Sequence, residues 1–273
     1  MKILFLCLSI VLCLINEGNA QDTIHLKTYI SQLKKVELTI AGQPYSFLFD
    51  TGGGETFISP EIARRLGKAP YGNSTAFRMS GEMLKYQRSD SVTIQIGTNT
   101  FFHPTVGVWD LMSILPEGLP KIDGVLSLKS FSDRVVTLDL TGNRLILETP
   151  ASFRKLKRSI SVLPSRFANG LDGNELTIFL NIPYNKRPYW FLFDSGNLND
   201  LLLSYQTAYE WGLQSDTVAH RKELGTVAVQ LGKKRMESKA ASEDIIYDGA
   251  LNYALLGKSK FIIDFPRKQV WVF

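Results

Sequence analysis

Two aspartates stand in matching phrases of this chain. Phe47-Leu48-Phe49-Asp50 is followed by Thr51-Gly52, and Phe191-Leu192-Phe193-Asp194 by Ser195-Gly196. An apolar strand that ends in a carboxylate buries itself and delivers that carboxylate to its tip. The glycine removes the Cβ that would block a tight turn or the approach of another backbone. The small hydroxyl can donate or accept a hydrogen bond where two such turns face each other. Two carboxyls brought about 3 Å apart cannot both ionise, so the pair shares a proton. One then acts as base on a water while the other acts as acid toward a substrate oxygen. That is hydrolysis without metal, thiol or covalent intermediate, and one aspartate alone cannot perform it.

The chain must therefore carry two copies of the element that positions an aspartate. The separation is 194 − 50 = 144 residues, about the length of one domain, and further landmarks recur in the same order. After Asp50, Ser59–Gly67 reads as a short helix: Ser59 caps it, Pro60 fits its first turn, Glu61 suits its positive end and Gly67 closes it. After Asp194, Ser204–Gly212 again runs from Ser to Gly. The apolar-apolar-Gly segment Ile122-Asp123-Gly124, whose middle residue is an imperfect match, is paired with Leu255-Leu256-Gly257. Each is followed by a hairpin pattern, Arg134–Glu148 around Thr141-Gly142-Asn143 and Phe261–Phe273 around Pro266-Arg267-Lys268. Asp139 and Asp264 hold matching places in these hairpins and lack the hydroxyl-Gly sequel, which marks them as structural. The remaining segments, such as Val36–Ile40, Val92–Ile96, Leu176–Ile182 and Val227–Leu231, are β-rich. The expected fold is mainly β and bilobal, with pseudo-twofold symmetry and one short helix per lobe. The lobes are read as 21–148 and 175–273, joined by a basic, Pro- and Gly-containing linker over 149–174.

Bulk properties exclude much else. The 273 residues are 44% hydrophobic, enough for a sizeable core. Residues 1–20 combine Lys2, the apolar run Ile3–Ile15 and Gly18-Asn19-Ala20, the pattern of a cleaved signal peptide whose apolar run is too short to span a bilayer. The mature chain is expected to be secreted or periplasmic, with no membrane span. Cys7 and Cys13 both lie in that leader, so disulfides, thiol catalysis and cysteine-bound metals drop out together. The net charge of +5 gathers partly in Arg154–Arg158 and Lys233–Arg235. Without interleaved aromatics these are solvated faces rather than a nucleic-acid surface. His25, His103 and His220 are scattered and read as surface or loop residues. No H-E-x-x-H, G-x-S-x-G or G-x-x-x-x-G-K-[ST] occurs. Gly52-Gly53-Gly54 is a poor phosphate cradle because the second copy keeps a single glycine. No metal and no cofactor are called for.

Asp50-Thr51-Gly52, Asp194-Ser195-Gly196 and the segments ending at Gly124 and Gly257 make the chain resemble the retropepsin and pepsin type of aspartic protease. It looks most like bacterial retropepsin-like proteins that carry both halves in one polypeptide, and the likeness covers roughly Val36 to Phe273. The resemblance implies the bilobal acid-protease fold and an exported aspartic endopeptidase acting on a peptide or protein substrate. In that family the two aspartates are the catalytic dyad, the neighbouring Thr51 and Ser195 brace the loops, and Gly124 and Gly257 belong to the segments beneath them. A monomer is expected, since both aspartates lie in one chain. Phe77–Tyr86, with Ser80-Gly81 at its tip, is the expected flap, supplied by the first lobe alone. Gly53 and Asn197 depart from the Ala, Ser or Thr usual after the triplet. Gly53-Gly54 is expected to loosen one loop, and the Asn197 side chain to bond or crowd the carboxylate. Those departures support an alternative, a weak or inactive peptide-binding protein of the same fold.

Overall fold

The computed structural model describes residues 21–157, 160–213 and 220–273. The leader read over residues 1–20 lies outside the described residues. Among those residues no helix is long and apolar enough to cross a membrane. The described residues are mainly β, as expected, and three sheets carry them.

The first sheet has eight strands, in the spatial order Lys27–Thr28, Lys34–Ile40, Gln43–Asp50, Gly124–Ser127, Phe57–Ile58, Asn99–Val108, Met83–Ile96 and Tyr71–Phe77. The second has seven, in the order Ser165–Ala168, Thr177–Tyr184, Arg187–Leu192, Gly249–Ala250, Leu201–Ser204, Lys234–Glu243 and Arg221–Leu231. From Lys34–Ile40 to Met83–Ile96, each strand of the first sheet has its counterpart in the second, from Thr177–Tyr184 to Arg221–Leu231. The outermost strand of the first sheet, Tyr71–Phe77, has no partner of that kind among the described residues. A third, six-stranded sheet joins the halves: the hairpins Val135–Leu147 and Phe261–Val272 meet edge to edge, with Val136 opposite Ile263 and Leu138 opposite Phe261.

The alternation of a strand explains how each aspartate is placed. Successive side chains point to opposite faces, so Phe47 and Phe49 enter the core while Leu48 and Asp50 share the other face. Phe191 and Phe193 are fully buried in the same way, and Leu192 and Asp194 face the cleft. The two helices then start where their caps place them. The Ile62 amide donates to Ser59 Oγ at 3.3 Å, and the Thr207 amide to Ser204 Oγ at 3.1 Å. Gly67 and Gly212 follow at positive φ, 65° and 70°.

Two features go beyond the sequence reading. The helix count exceeds one per half, because Pro150–Leu156 and Tyr253–Leu256 are also helical. The stretch from 149 to 174 is built into the fold, since Ser161–Leu163 joins the six-stranded sheet and Ser165–Ala168 joins the second sheet. His103 is also a buried strand residue rather than a surface one. Burial and the nearby Lys129 hold its imidazole down to about 4.

Candidate active site

The loops after the two Phe-Leu-Phe strands meet between the halves. Thr51 Oγ1 donates to the Phe193 carbonyl at 2.8 Å and accepts from the Ser195 amide at 2.8 Å. In return, the Thr51 amide donates to Ser195 Oγ at 3.2 Å. Each hydroxyl therefore holds the opposite loop, and both residues are buried. The glycines serve close approach: a Cβ on Gly52 would stand 2.6 Å from Asp194 Cγ, and one on Gly196 would stand 3.2 Å from Asp50 Oδ1.

The two carboxyls face each other across the glycines, where each shifts the other's ionisation. Asp50 Oδ1 accepts from the Gly52 amide at 2.9 Å. Asp194 Oδ1 accepts from the Gly196 amide at 2.7 Å and from the Asn197 amide at 3.2 Å. Asp194 is only 7% exposed. Burial and the adjacent Asp50 charge push its carboxyl up to about 8. Burial also raises Asp50, but the Gly52 and Gly53 amides oppose that shift and the hydrogen bond from Asp194 lowers it further. Both carboxyls are thus raised and coupled, so the proton they share belongs to the pair.

Asn197 does not crowd the carboxylate. Its side-chain amide turns away and donates to the Asp200 carbonyl at 3.1 Å, so it ties the loop down while its backbone joins the carboxylate cradle. Gly53-Gly54 does not leave the first loop loose either. The Leu176 amide from the other half bonds the Gly54 carbonyl at 2.7 Å, and the side chain of Glu175 lies against Gly54.

Beneath each loop a glycine-bearing strand inserts in parallel, and here one expectation is corrected. Phe47 lies opposite Gly124, and Phe191 lies opposite Gly249, not Gly257. The true repeat of Ile122-Asp123-Gly124 is Tyr247-Asp248-Gly249. Asp123 accepts from the Ser46 amide at 3.0 Å, and Asp248 accepts from the Trp190 amide at 2.7 Å. The carbonyls of the same two aspartates accept from the Ser59 and Ser204 amides, each at 3.0 Å. Both glycines are required by contact: a Cβ on Gly124 would stand 2.5 Å from the Phe47 ring, and one on Gly249 would stand 2.6 Å from the Leu202 carbonyl. Gly257 instead ends the helix Tyr253–Leu256, and its carbonyl accepts from Thr141 Oγ1 at 2.9 Å. The signal for the correct pairing was the recurrent Asp-Gly; requiring an apolar residue at that middle position hid it.

The hairpin of Tyr71–Phe77 and Met83–Ile96, read above as the flap, lines the cleft that holds the pair through Phe77, Arg78, Met79 and Leu84. Its turn is closed by Arg78 and Glu82, and Gly81 supplies a positive φ of 82° at the tip. Ser80 is exposed beside it. The flap reaches the other half, where the Ile246 amide donates to the Met79 carbonyl at 2.9 Å. The cleft holds about 320 Å³ and is walled mainly by apolar side chains, among them Leu48, Phe57, Trp109, Leu111 and Leu192.

Sequence reasoning missed two more acids in that wall. Glu55, 1% exposed, is pushed up to about 7 by burial even though Lys129 Nζ donates to both its oxygens at 2.8 and 3.0 Å. Glu175 is also raised, first by burial and then by the Asp172 charge. Nothing local marked either residue, because Glu55 and Lys129 are 74 positions apart and meet only through the sheet.

Residues 36–129 match the family model described as aspartyl protease. No curated protein matches the chain in sequence. Among solved structures, the crystal structure of basic 7S globulin from soybean is similar over 92% of this chain and 94% of that one, at a TM-score of 0.55 and 11% identity. That is a likeness of fold. The matched segment spans the first aspartate loop and the hairpin of Tyr71–Phe77 and Met83–Ile96, and the likeness to the acid-protease fold extends over nearly the whole chain.

Proposed function

We propose that the chain is an aspartic endopeptidase that hydrolyses peptide bonds with one activated water. The observation that carries this reading is the buried, coupled pair of Asp50 and Asp194, their loops braced by Thr51 and Ser195, in a mainly apolar cleft lined by the hairpin of Tyr71–Phe77 and Met83–Ile96. Asp50 takes a proton from the water as its oxygen bonds to the peptide carbonyl carbon. Asp194 gives its proton to the carbonyl oxygen. In the resulting tetrahedral diol, Asp50 passes its proton to the amide nitrogen as the C–N bond breaks. Asp194 recovers a proton from the hydroxyl as the new carboxyl forms. The reciprocal Thr51–Ser195 hydrogen bonds keep the two loops in register, and the apolar walls exclude bulk water.

The mature protein is part of the same proposal: it starts at Gln21, is exported and works as a monomer. A mass spectrum of the exported protein tests the first two points and light scattering the third. The central test incubates the chain from Gln21 with a diverse peptide mixture across pH and maps the cuts by mass spectrometry. Cuts that disappear in both Asp50→Asn and Asp194→Asn support the reading. Wild-type protein that binds peptides without cutting them favours the binding-only alternative.

A further inference from the structure

The cleft floor is built symmetrically but occupied unequally. Leu48 and Leu192 stand two residues before their aspartates, on the same strand face, one on each side of the pair. On the Leu48 side, Phe57, Trp109 and Leu111 border open space. On the Leu192 side, Met79 reaches down from the flap, packs against the cluster of Leu192, Leu202 and Ile245, and lines the cleft beside Tyr247. Two contacts seat it there: the bond from the Ile246 amide to the Met79 carbonyl, and Gly81 packed so closely that its Cβ position is 3.0 Å from Ile246 Cγ2.

We propose that Met79 is a specificity-determining residue that makes the two sides of the cleft unequal. The Leu48 side takes a large apolar or aromatic side chain. The Leu192 side, with Met79 seated, takes a small one. Preferred peptides therefore carry a bulky apolar residue on one side of the scissile bond and Gly, Ala or Ser on the other. The inference rests on the peptide-cleft reading above. A flexible thioether suits the task, since it fills an irregular gap without a fixed shape.

The test varies both flanking residues in a peptide series and compares the wild type with Met79→Ala and Met79→Leu. The same side chains are also placed in reduced-amide peptide isosteres, which bind without turnover. The wild type should prefer small over large at one flanking position by roughly tenfold or more, the scale set by a methylene or two in an apolar pocket. Met79→Ala should reverse that preference and leave the other position unchanged, and Met79→Leu should restore it. Equal tolerance of large residues on both sides in the wild type, or an unchanged profile in Met79→Ala, overturns the inference while leaving cleavage intact. A protein that cuts nothing, yet binds isosteres with this asymmetry, keeps the inference and loses the protease reading. Failure to bind any isostere overturns both.

Discussion

The loop after Asp50 and the loop after Asp194 share one backbone plan and fill it with different chemistry. The first holds a buried carboxylate, Glu55, against Lys129. The second places Asp200 at the corresponding position, in a more open pair with Arg221 that also engages Glu243. The first loop is tied to the other half through Gly54, whereas the second is tied within itself through Asn197. Each carboxyl of the dyad is cradled by two amides of its own loop, Asp50 by Gly52 and Gly53 and Asp194 by Gly196 and Asn197. A repeated unit thus keeps what both sites need, the strand, hydroxyl and glycine. The surroundings are free to diverge.

The dyad itself should give the largest effect. Asp50→Asn and Asp194→Asn should each lower peptide cleavage by roughly 10³-fold, the scale of a lost general acid or base, measured as kcat/KM. The two variants should differ in stability, however. A carboxyl raised in the folded state contributes stability that is present below its unfolded value and lost as pH rises through its folded value. For Asp194 that loss accumulates as pH rises from the ordinary carboxyl range and is complete by about pH 8. Thermal melts at pH 9 should therefore show Asp194→Asn more stable than the wild type, by about 1–3 kcal/mol. Wild-type cleavage should fall as pH passes through about 8, because the shared proton leaves. A wild-type rate that keeps rising through pH 9 would break the assignment of Asp194 as the acid.

Next in size are the two buried-acid sites. Lys129→Met removes the partner of Glu55, which is raised to about 7 even with that partner present. The sign is the same: stability falls as pH climbs through the folded value. Denaturant melts should show a loss of about 3 kcal/mol at pH 9, as for a broken buried pair, and little loss at pH 5, where Glu55 is neutral. Arg221→Met, which breaks the more open pair of the second loop, should cost under about 1 kcal/mol at either pH. Similar costs for the two substitutions would show that the loops are less different than their burial implies.

The corrected pairing of the second half gives a sharper contrast. Gly249→Ala forces a methyl into the Phe191 ring and the Leu202 carbonyl and should destabilise by about 2–3 kcal/mol. Gly257→Ala meets its nearest atom, the Tyr253 carbonyl, at 3.2 Å in ordinary helical conformation, and should change stability by less than about 1 kcal/mol. Chemical denaturation of both variants checks which glycine repeats Gly124. Between these, Ser195→Ala loses one acceptor, the partner of the Thr51 amide, and should cost about 1 kcal/mol or slightly more. Thr51→Val removes the hydroxyl that both donates and accepts, and should cost more by the same assay.

What the sequence by itself determined is whatever depends on neighbours along the chain. Period-two alternation put Asp50 and Leu48 on one face; Ser59 and Ser204 capped their helices; Asn143 and Lys268, at φ near 53° and 52°, turned the closing hairpins. The doubled Asp-hydroxyl-Gly phrase was enough to name the candidate pair, because that chemistry needs two such loops. What only the tertiary structure decided are the pairings across long loops. The strand carrying Gly249 docks on Phe191 over a separation of 249 − 191 = 58 residues, whereas Gly124 docks on Phe47 over 124 − 47 = 77. The shorter separation belongs to the half that lacks a strand corresponding to Tyr71–Phe77 among its described residues, and no local spacing rule could carry the register across that difference. The Glu55–Lys129 pair and the seat of Met79 against Ile246 depend on sheet closure in the same way. Short-range preferences act through a few covalent bonds and can be read in order. Contacts made by packing depend on where every intervening strand has gone, which the folded chain alone specifies.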